Sequence, residues 1–443
     1  MKRKNIIIMG AAGRDYENFL IYFKDNPEFN VVAFTQAQIP GIEKRKFPKE
    51  LAGRLYKHDI PFYPEEKLPE LIKKFKIDYV YLCYSDLSHQ EVMAKASLVL
   101  ANGASFALLG TNATYLKSKK PVISVCATRT GAGKGTTCRK ILSILKENEI
   151  KAVIIRHPMP YSKNLLKEVC QRYSSLKDLD KYETTLEEQE EYLPYLEKGY
   201  IVYAGVDYKK IISEAEEEEA DVIVYEGGNN DFSFFKSDLY ITVVDPLRKE
   251  GLYSYPGEVN VLLADVIIVN KSDLVTKDEL NRLVKEIKKI NNKAEIIIGK
   301  SDIKADKEMI KNKNVVLVED SPSITHGGVS SNYTASKLAA KKYKSKNIIN
   351  PRRYGVGSLK EVFKDYPNLD IIPTTGYGKS QINDLIETIN NVKADSIIFA
   401  SYCSLFMKNR FNKPLTRVTY ELEEIGKPKL DKIIFNFLKN RIH

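Results

Sequence analysis

Val122-Ile123-Ser124-Val125-Cys126-Ala127-Thr128-Arg129-Thr130-Gly131-Ala132-Gly133-Lys134-Gly135-Thr136-Thr137 is the stretch that decides the fold of this 443-residue chain. An apolar run of strand length enters a Gly-rich turn, meets a lysine and continues into a helical pattern reaching about Glu147. Strand, turn, lysine and helix in that order form a phosphate loop. Backbone N–H groups and the helix N-terminus cradle phosphate oxygens, and the lysine ammonium reaches the β and γ oxygens. Thr130, Gly131, Ala132, Gly133, Lys134, Gly135, Thr136 and Thr137 are therefore the expected nucleotide contacts. The loop departs from the common form twice: Thr128 replaces the first Gly, and Gly135 stands where Ser or Thr follows the lysine. Thr136 or Thr137, one position later, is then expected to offer Mg²⁺ its hydroxyl. A Gly-Lys-Gly-Ser/Thr order also occurs in folyl-polyglutamate-type ligases.

Downstream strand ends supply the remaining chemistry, because ligands of open α/β sheets lie at the carboxyl ends of strands. The run 221–225 ends in Glu226-Gly227-Gly228-Asn229-Asn230-Asp231. A carboxylate there can hold Mg²⁺ or its water, so Glu226 is the expected metal ligand, with Asp245 as a second candidate. The run 266–270 ends in Asn270-Lys271-Ser272-Asp273, an NKxD box that places the base and leaves guanine and adenine both open. The run 152–155 leads into Arg156-His157, suited to an oxyanion. The run 315–319 precedes Thr325-His326-Gly327-Gly328, a plausible anion nest. A second Gly-rich loop, 373–381, carries Lys379 at a helix start.

Further out, short apolar runs alternate with helical stretches, which is the pattern of parallel sheets covered by helices. The expected fold is α/β: a Rossmann-like N-terminal domain (1–118), then a P-loop NTPase domain with a mostly parallel sheet (119–345). A C-terminal α/β segment (346–443) packs on the latter. The N-terminal Gly10-Ala11-Ala12-Gly13 turn lacks the GxGxxG spacing, and no acid follows the second strand, which argues against NAD(P). Ser85, Asp86 and His89 read as helix caps, and the acidic runs 187–191 and 214–219 as solvated helix faces. No apolar run approaches the ~20 residues that span a bilayer. Five scattered cysteines without a CxxC pair point away from disulfide frameworks and zinc clusters and toward the cytoplasm. The formal charge is +11, and residues 321–360 contain eight Lys and Arg but no Asp or Glu. That window reads as support for a crowded phosphate site. Its few interleaved aromatics argue against nucleic acid.

Several long strings resemble those of the archaeal cyclic 2,3-diphosphoglycerate synthetase family. They are MGAAGRD, AFTQAQIPGIE, KSKKPVI, RHPMPY (156–161), EGGNNDF (226–232), THGG (325–328) and YELEEIGKP (420–428). The resemblance implies a homodimeric, ATP- and Mg²⁺-dependent ligase that closes 2,3-bisphosphoglycerate into an intramolecular phosphoanhydride. The γ-phosphoryl would pass to one substrate phosphate, and the other would then displace inorganic phosphate. Both nucleophiles are ionised substrate oxygens, so positioning and charge do the work. Unit charges ~5 Å apart at an effective dielectric of about 20 repel by ~3 kcal/mol, so such a site needs many cations and few acids. Lys134, Arg129 and Glu226 are the catalytic candidates. Arg156, His157, Asn229, Asn230, Thr325, His326, Gly327 and Gly328 are the substrate contacts. The NKxD box keeps a second class in view, a nucleotide-hydrolysing switch or metal-insertion chaperone.

Overall fold

The computed structural model describes residues 2–11, 13–37, 45–160, 164–320, 331–374, 379–402 and 408–441. Strand Val122–Ala127 is buried at every position and occupies the middle of a nine-stranded sheet. On one side lie Val222–Glu226, Ala152–Arg156, Ile201–Ala204 and the antiparallel Gln171–Tyr173; on the other lie Leu239–Val244, Val266–Val269, Glu295–Lys304 and the antiparallel Thr419–Ile425. Successive strands therefore depart in opposite directions from Val122–Ala127. That reversal opens a crevice at the strands' carboxyl ends, where the phosphate loop sits.

The fold is α/β with mostly parallel sheets. Buried on both faces, these strands are near-continuous Val and Ile runs, which is why their positions are readable as strands. Helix Lys134–Glu147 follows the loop and buries Cys138, Ile141, Leu142, Ile144 and Leu145 in the core under the sheet. Leu430, Ile433, Ile434, Phe437 and Leu438 of the C-terminal helix Leu430–Arg441 fill the same core. Full burial of each such side chain contributes ~1.5–3 kcal/mol.

The N-terminal sheet has six strands in the order Lys46–Phe47, Ile60–Pro64, Phe29–Gln36, Lys4–Met9, Tyr79–Leu82 and Ser105–Ala107, parallel except for the first. Apolar cores cover both of its faces. Ser88 caps helix His89–Ala101 with a full capping box, and its carbonyl-end partner strand Ser254–Tyr255 ties Leu87–Ser88 to the nine-stranded sheet's side of the molecule.

A third sheet is built on Asn314–Asp320, flanked by Asn347–Ile348, Ile372–Thr374, Ser396–Ala400 and Leu415–Arg417, all parallel. A boundary at 345/346 runs through this sheet, because strands on both sides of it pair. The last strand, Thr419–Ile425, then returns to the edge of the nine-stranded sheet. The boundary at 118/119 falls between the first sheet and the second.

Candidate functional site

Two glycines of the loop take left-handed backbone angles that L side chains rarely adopt: Gly131 at φ 78° and Gly133 at φ 113°. Their carbonyl neighbours are held from the NKxD box. The Asn270 amide donates to the Ala132 carbonyl at 3.0 Å, and Lys271 Nζ donates to the Gly131 carbonyl at 2.8 Å. Lys271 also pairs with Asp245 at 2.7 Å. Asn270 and Lys271 thus staple the loop, and Asp245 serves Lys271; Asp273 is exposed beyond them. The Lys134 ammonium donates to the Asn229 carbonyl at 2.6 Å. The hydroxyls of Thr136 and Thr137 donate back to the Gly133 carbonyl at 2.7 and 3.1 Å. Thr130 donates to Asp86 at 2.6 Å and lies 3.2 Å from the Asn229 side-chain oxygen.

Glu226 anchors a buried charge cluster. In register, Glu226 stands directly across from Arg156 on the neighbouring parallel strand, so their side chains share a face. Arg156 Nη1 meets Glu226 at 2.7 Å, and its Nη2 pairs with Glu191. The Tyr195 hydroxyl donates to the same Glu226 carboxylate. Arg156 is 3% exposed and Glu226 2%. The other Glu226 oxygen faces the loop: a Cβ on Gly135 would lie 3.3 Å from both Glu226 Oε1 and Arg139 Nη1. That packing explains the departure at Gly135, since these two side chains fill the space a Ser or Thr would need. Glu226 Oε1, beside the loop, is an oxygen donor of the kind Mg²⁺ takes.

His157 sits one residue past Arg156, buried, 3.3 Å from Asp231 and packed against Phe234 with ring centroids 5.3 Å apart and a tilt of 41°. Burial, and the positive charges of Arg14, Arg156 and Lys134, hold the imidazole well below its ordinary pKa. Burial, opposed by Arg14, pushes the Asp231 carboxyl up to about 7. The imidazole is therefore neutral at neutral pH. Arg14 arrives from the helix Arg14–Asn18 that follows the strand Lys4–Met9, donates to the Phe232 carbonyl at 2.7 Å and lies 3.5 Å over the Phe232 ring. Asp86, in the turn after the strand Tyr79–Leu82, receives Thr130, approaches Arg129 at 3.9 Å, and its backbone N–H donates to Asn230 at 2.8 Å. Asp86 is thus a bridge to the phosphate loop rather than a cap. Asn230 is fully buried, and its amide also holds the Thr128 carbonyl and Ser254.

Any Cβ on Gly228 would collide with the His157 ring. That ring is fixed by Phe234, Asp231 and the backbone at Gly13. Gly228→Ala is expected to destabilise the protein by about 1–3 kcal/mol through overpacking. Chemical denaturation reads this directly, and an unchanged midpoint would refute the contact.

Among the expected site residues, the structure brings together Lys134, Arg129, Glu226, Arg156, His157, Asn229 and Asn230. Thr325, His326, Gly327 and Gly328 lie outside the described residues. Two lysines of the acid-free window, Lys337 and Lys342, pair with Asp370 and Asp302 from outside it. The acidic run 187–191 is not a merely solvated face: Glu188 is 5% exposed within a capping box, and Glu191 holds Arg156. Arg14, Glu191 and Tyr195 also stand at this cluster, and no spacing marked them.

Residues 201–299 match the family model described as cyclic 2,3-diphosphoglycerate synthetase, P-loop domain. The arginine synthetase ArcE of Thermococcus kodakarensis is 51% identical over 442 residues, 99% of this chain and 98% of the relative. The cyclic 2,3-diphosphoglycerate synthetase of Thermococcus sibiricus is 36% identical over 114 residues, 26% of each chain. Among solved structures, LpxK from Aquifex aeolicus in complex with ATP is 13% identical with a TM-score of 0.44, covering 84% of this chain and 99% of that one. No helix of the described residues is long and apolar enough to cross a membrane. The chain belongs to the same family as the arginine synthetase ArcE, and across residues 201–299 it carries the P-loop domain of the cyclic 2,3-diphosphoglycerate synthetases.

Proposed function

We propose that this protein is an ATP-dependent ligase that makes arginine from its ureido analogue and ammonia. The observation that carries this reading is the charge balance around the phosphate loop. A second substrate bearing two phosphates needs surplus cations. Among the described residues the cations beside the loop are mostly matched: Arg156 by Glu191 and Glu226, Lys271 by Asp245, and Arg129 by Asp86. Lys134, and Arg248 with only a 4.0 Å approach to Asp245, are left for the nucleotide. Such a site suits ATP plus an acceptor with little net charge. The full-length likeness to a relative named arginine synthetase supports the same choice.

The chemistry balances in two steps. The ureido oxygen attacks the γ-phosphorus and ADP leaves, giving an O-phosphorylated isourea. Ammonia then adds to the central carbon, the C–O bond breaks, inorganic phosphate leaves with the former ureido oxygen, and the nitrogen sheds a proton. Lys134 orients the γ-phosphate, and the N–H groups of Gly131–Lys134 bind the polyphosphate. Mg²⁺ held beside Glu226 would neutralise the phosphate oxygens. The departing phosphate takes the proton that the nitrogen sheds, and His157, kept neutral by burial and the nearby cations, adds no charge beside the acceptor.

The family model over residues 201–299 favours a second reading, phosphoanhydride closure of 2,3-bisphosphoglycerate. One experiment separates the two. Purified protein receives ATP and Mg²⁺ with either the ureido amino acid and ammonium or 2,3-bisphosphoglycerate. Arginine formation matched by ADP is the expected result. A cyclic phosphoanhydride in the ³¹P spectrum, with no arginine in the parallel reaction, would replace this reading by the second.

A further inference from the structure

The segment after strand Leu239–Val244 contains a side chain that the preceding mechanism leaves unused. Arg248 interrupts the 3-10 segment Pro246–Tyr253 with non-helical angles, φ −136° and ψ 56°. Its residue is 6% exposed. All three guanidinium nitrogens are buried and without a hydrogen-bond partner among the described residues. The nearest acid is Asp245, 4.0 Å from Nε, and that same carboxylate oxygen is already taken by Lys271 at 2.7 Å. The guanidinium is aimed at the phosphate loop: Nη2 lies 3.2 Å from the position of a Cβ on Gly131.

A buried cation with five unused N–H donors is costly unless something supplies acceptors. Buried unsatisfied groups of native proteins call for such an explanation. Here the donors are planar, aimed at a loop whose backbone binds oxyanions, at the carboxyl end of the strand beside it. We propose that Arg248 is a polyphosphate-binding residue, whose guanidinium fork takes oxygens of a nucleoside di- or triphosphate over Gly131. This rests on the nucleotide-binding reading of the loop and extends it to a residue outside the motif. Arginine suits the role because its fork matches two phosphate oxygens, which a lysine ammonium cannot do.

The test compares Arg248→Met, Arg248→Lys and Lys134→Ala, with ATP, ADP and AMP affinities measured by calorimetry on the full chain. Arg248→Met is expected to weaken ATP and ADP at least tenfold and leave AMP within about twofold, with Arg248→Lys in between. Without nucleotide, Arg248→Met should denature at a higher midpoint than the parent, since it removes a buried charge whose donors have no hydrogen-bond partner among the described residues. Its stabilisation by ATP should shrink. A purely structural arginine would give the opposite sign without nucleotide. If Lys134→Ala loses ATP while Arg248→Met binds it like the parent, the inference about Arg248 is overturned and the loop reading stands. If Lys134→Ala also binds ATP normally, the loop reading itself falls.

Discussion

Lys134→Ala is expected to abolish product formation, with a loss of at least about 10²–10³-fold in kcat, the scale on which single preorganised charge contacts act. The expectation follows from what the other cations of the site are doing. Arg156 is bound between two carboxylates, Lys271 is bound to Asp245 and the Gly131 carbonyl, and Arg129 faces Asp86. Among the described residues Lys134 donates to the neutral Asn229 carbonyl, a partner easily exchanged for a phosphate oxygen. Arg248, the other uncommitted cation beside the loop, is held over Gly131 and not at the Asn229 carbonyl, so it does not take the place of the ammonium. Steady-state turnover, with ATP binding measured in parallel, checks the prediction. A rate within a few-fold of the parent would overturn the phosphate-loop assignment. Lys134→Arg should fail nearly as badly, because a planar guanidinium cannot occupy the place of a point-like ammonium.

The sequence revealed the phosphate loop and its sheet because both obey local rules. A buried parallel strand is a continuous apolar run, and a left-handed turn requires Gly at Gly131 and Gly133. Strand Val122–Ala127 and helix Lys134–Glu147 accordingly fall where their residues indicate. The rest of the site depends on long-range register and docking. Glu191 lies 35 residues from Arg156 on a helix whose charged run looks like any solvated face. Asp86 reaches Thr130 across 44 residues, from the turn after a strand of a different sheet. Arg248 carries no motif at all. Strands Asn314–Asp320 and Ser396–Ala400 of the third sheet were legible but the sheet was not, because they are far apart in sequence and each looks like one more α/β strand. The +11 charge illustrates the same limit. Its acid-free window suggested a phosphate site, yet Lys337 and Lys342 are neutralised by Asp370 and Asp302, acids from outside the window. Composition cannot show such pairing.

Glu226→Gln should lower the denaturation midpoint by the equivalent of about 3 kcal/mol and reduce turnover at least about tenfold. Breaking a buried ion pair from one side leaves the other charge uncompensated, which costs ~3–5 kcal/mol. Arg156 keeps Glu191, which puts the effect at the lower end. The contrast with Glu191→Gln makes the test specific. Both carboxylates touch Arg156, but the Glu191 side chain is 44% exposed and that of Glu226 only 3%. Solvent screens the loss of the first to ~1 kcal/mol or less. It cannot do so for the second. Glu226 has additional roles: it accepts the Tyr195 hydroxyl, and its free oxygen stands beside Gly135, where Mg²⁺ would be held. Glu226→Gln is therefore expected to raise the Mg²⁺ concentration needed for half-maximal turnover, and Glu191→Gln to leave it unchanged. Equal effects of the two substitutions on stability and on Mg²⁺ dependence would show that Glu226 acts only as a counterion to Arg156. That outcome would remove it from the reaction.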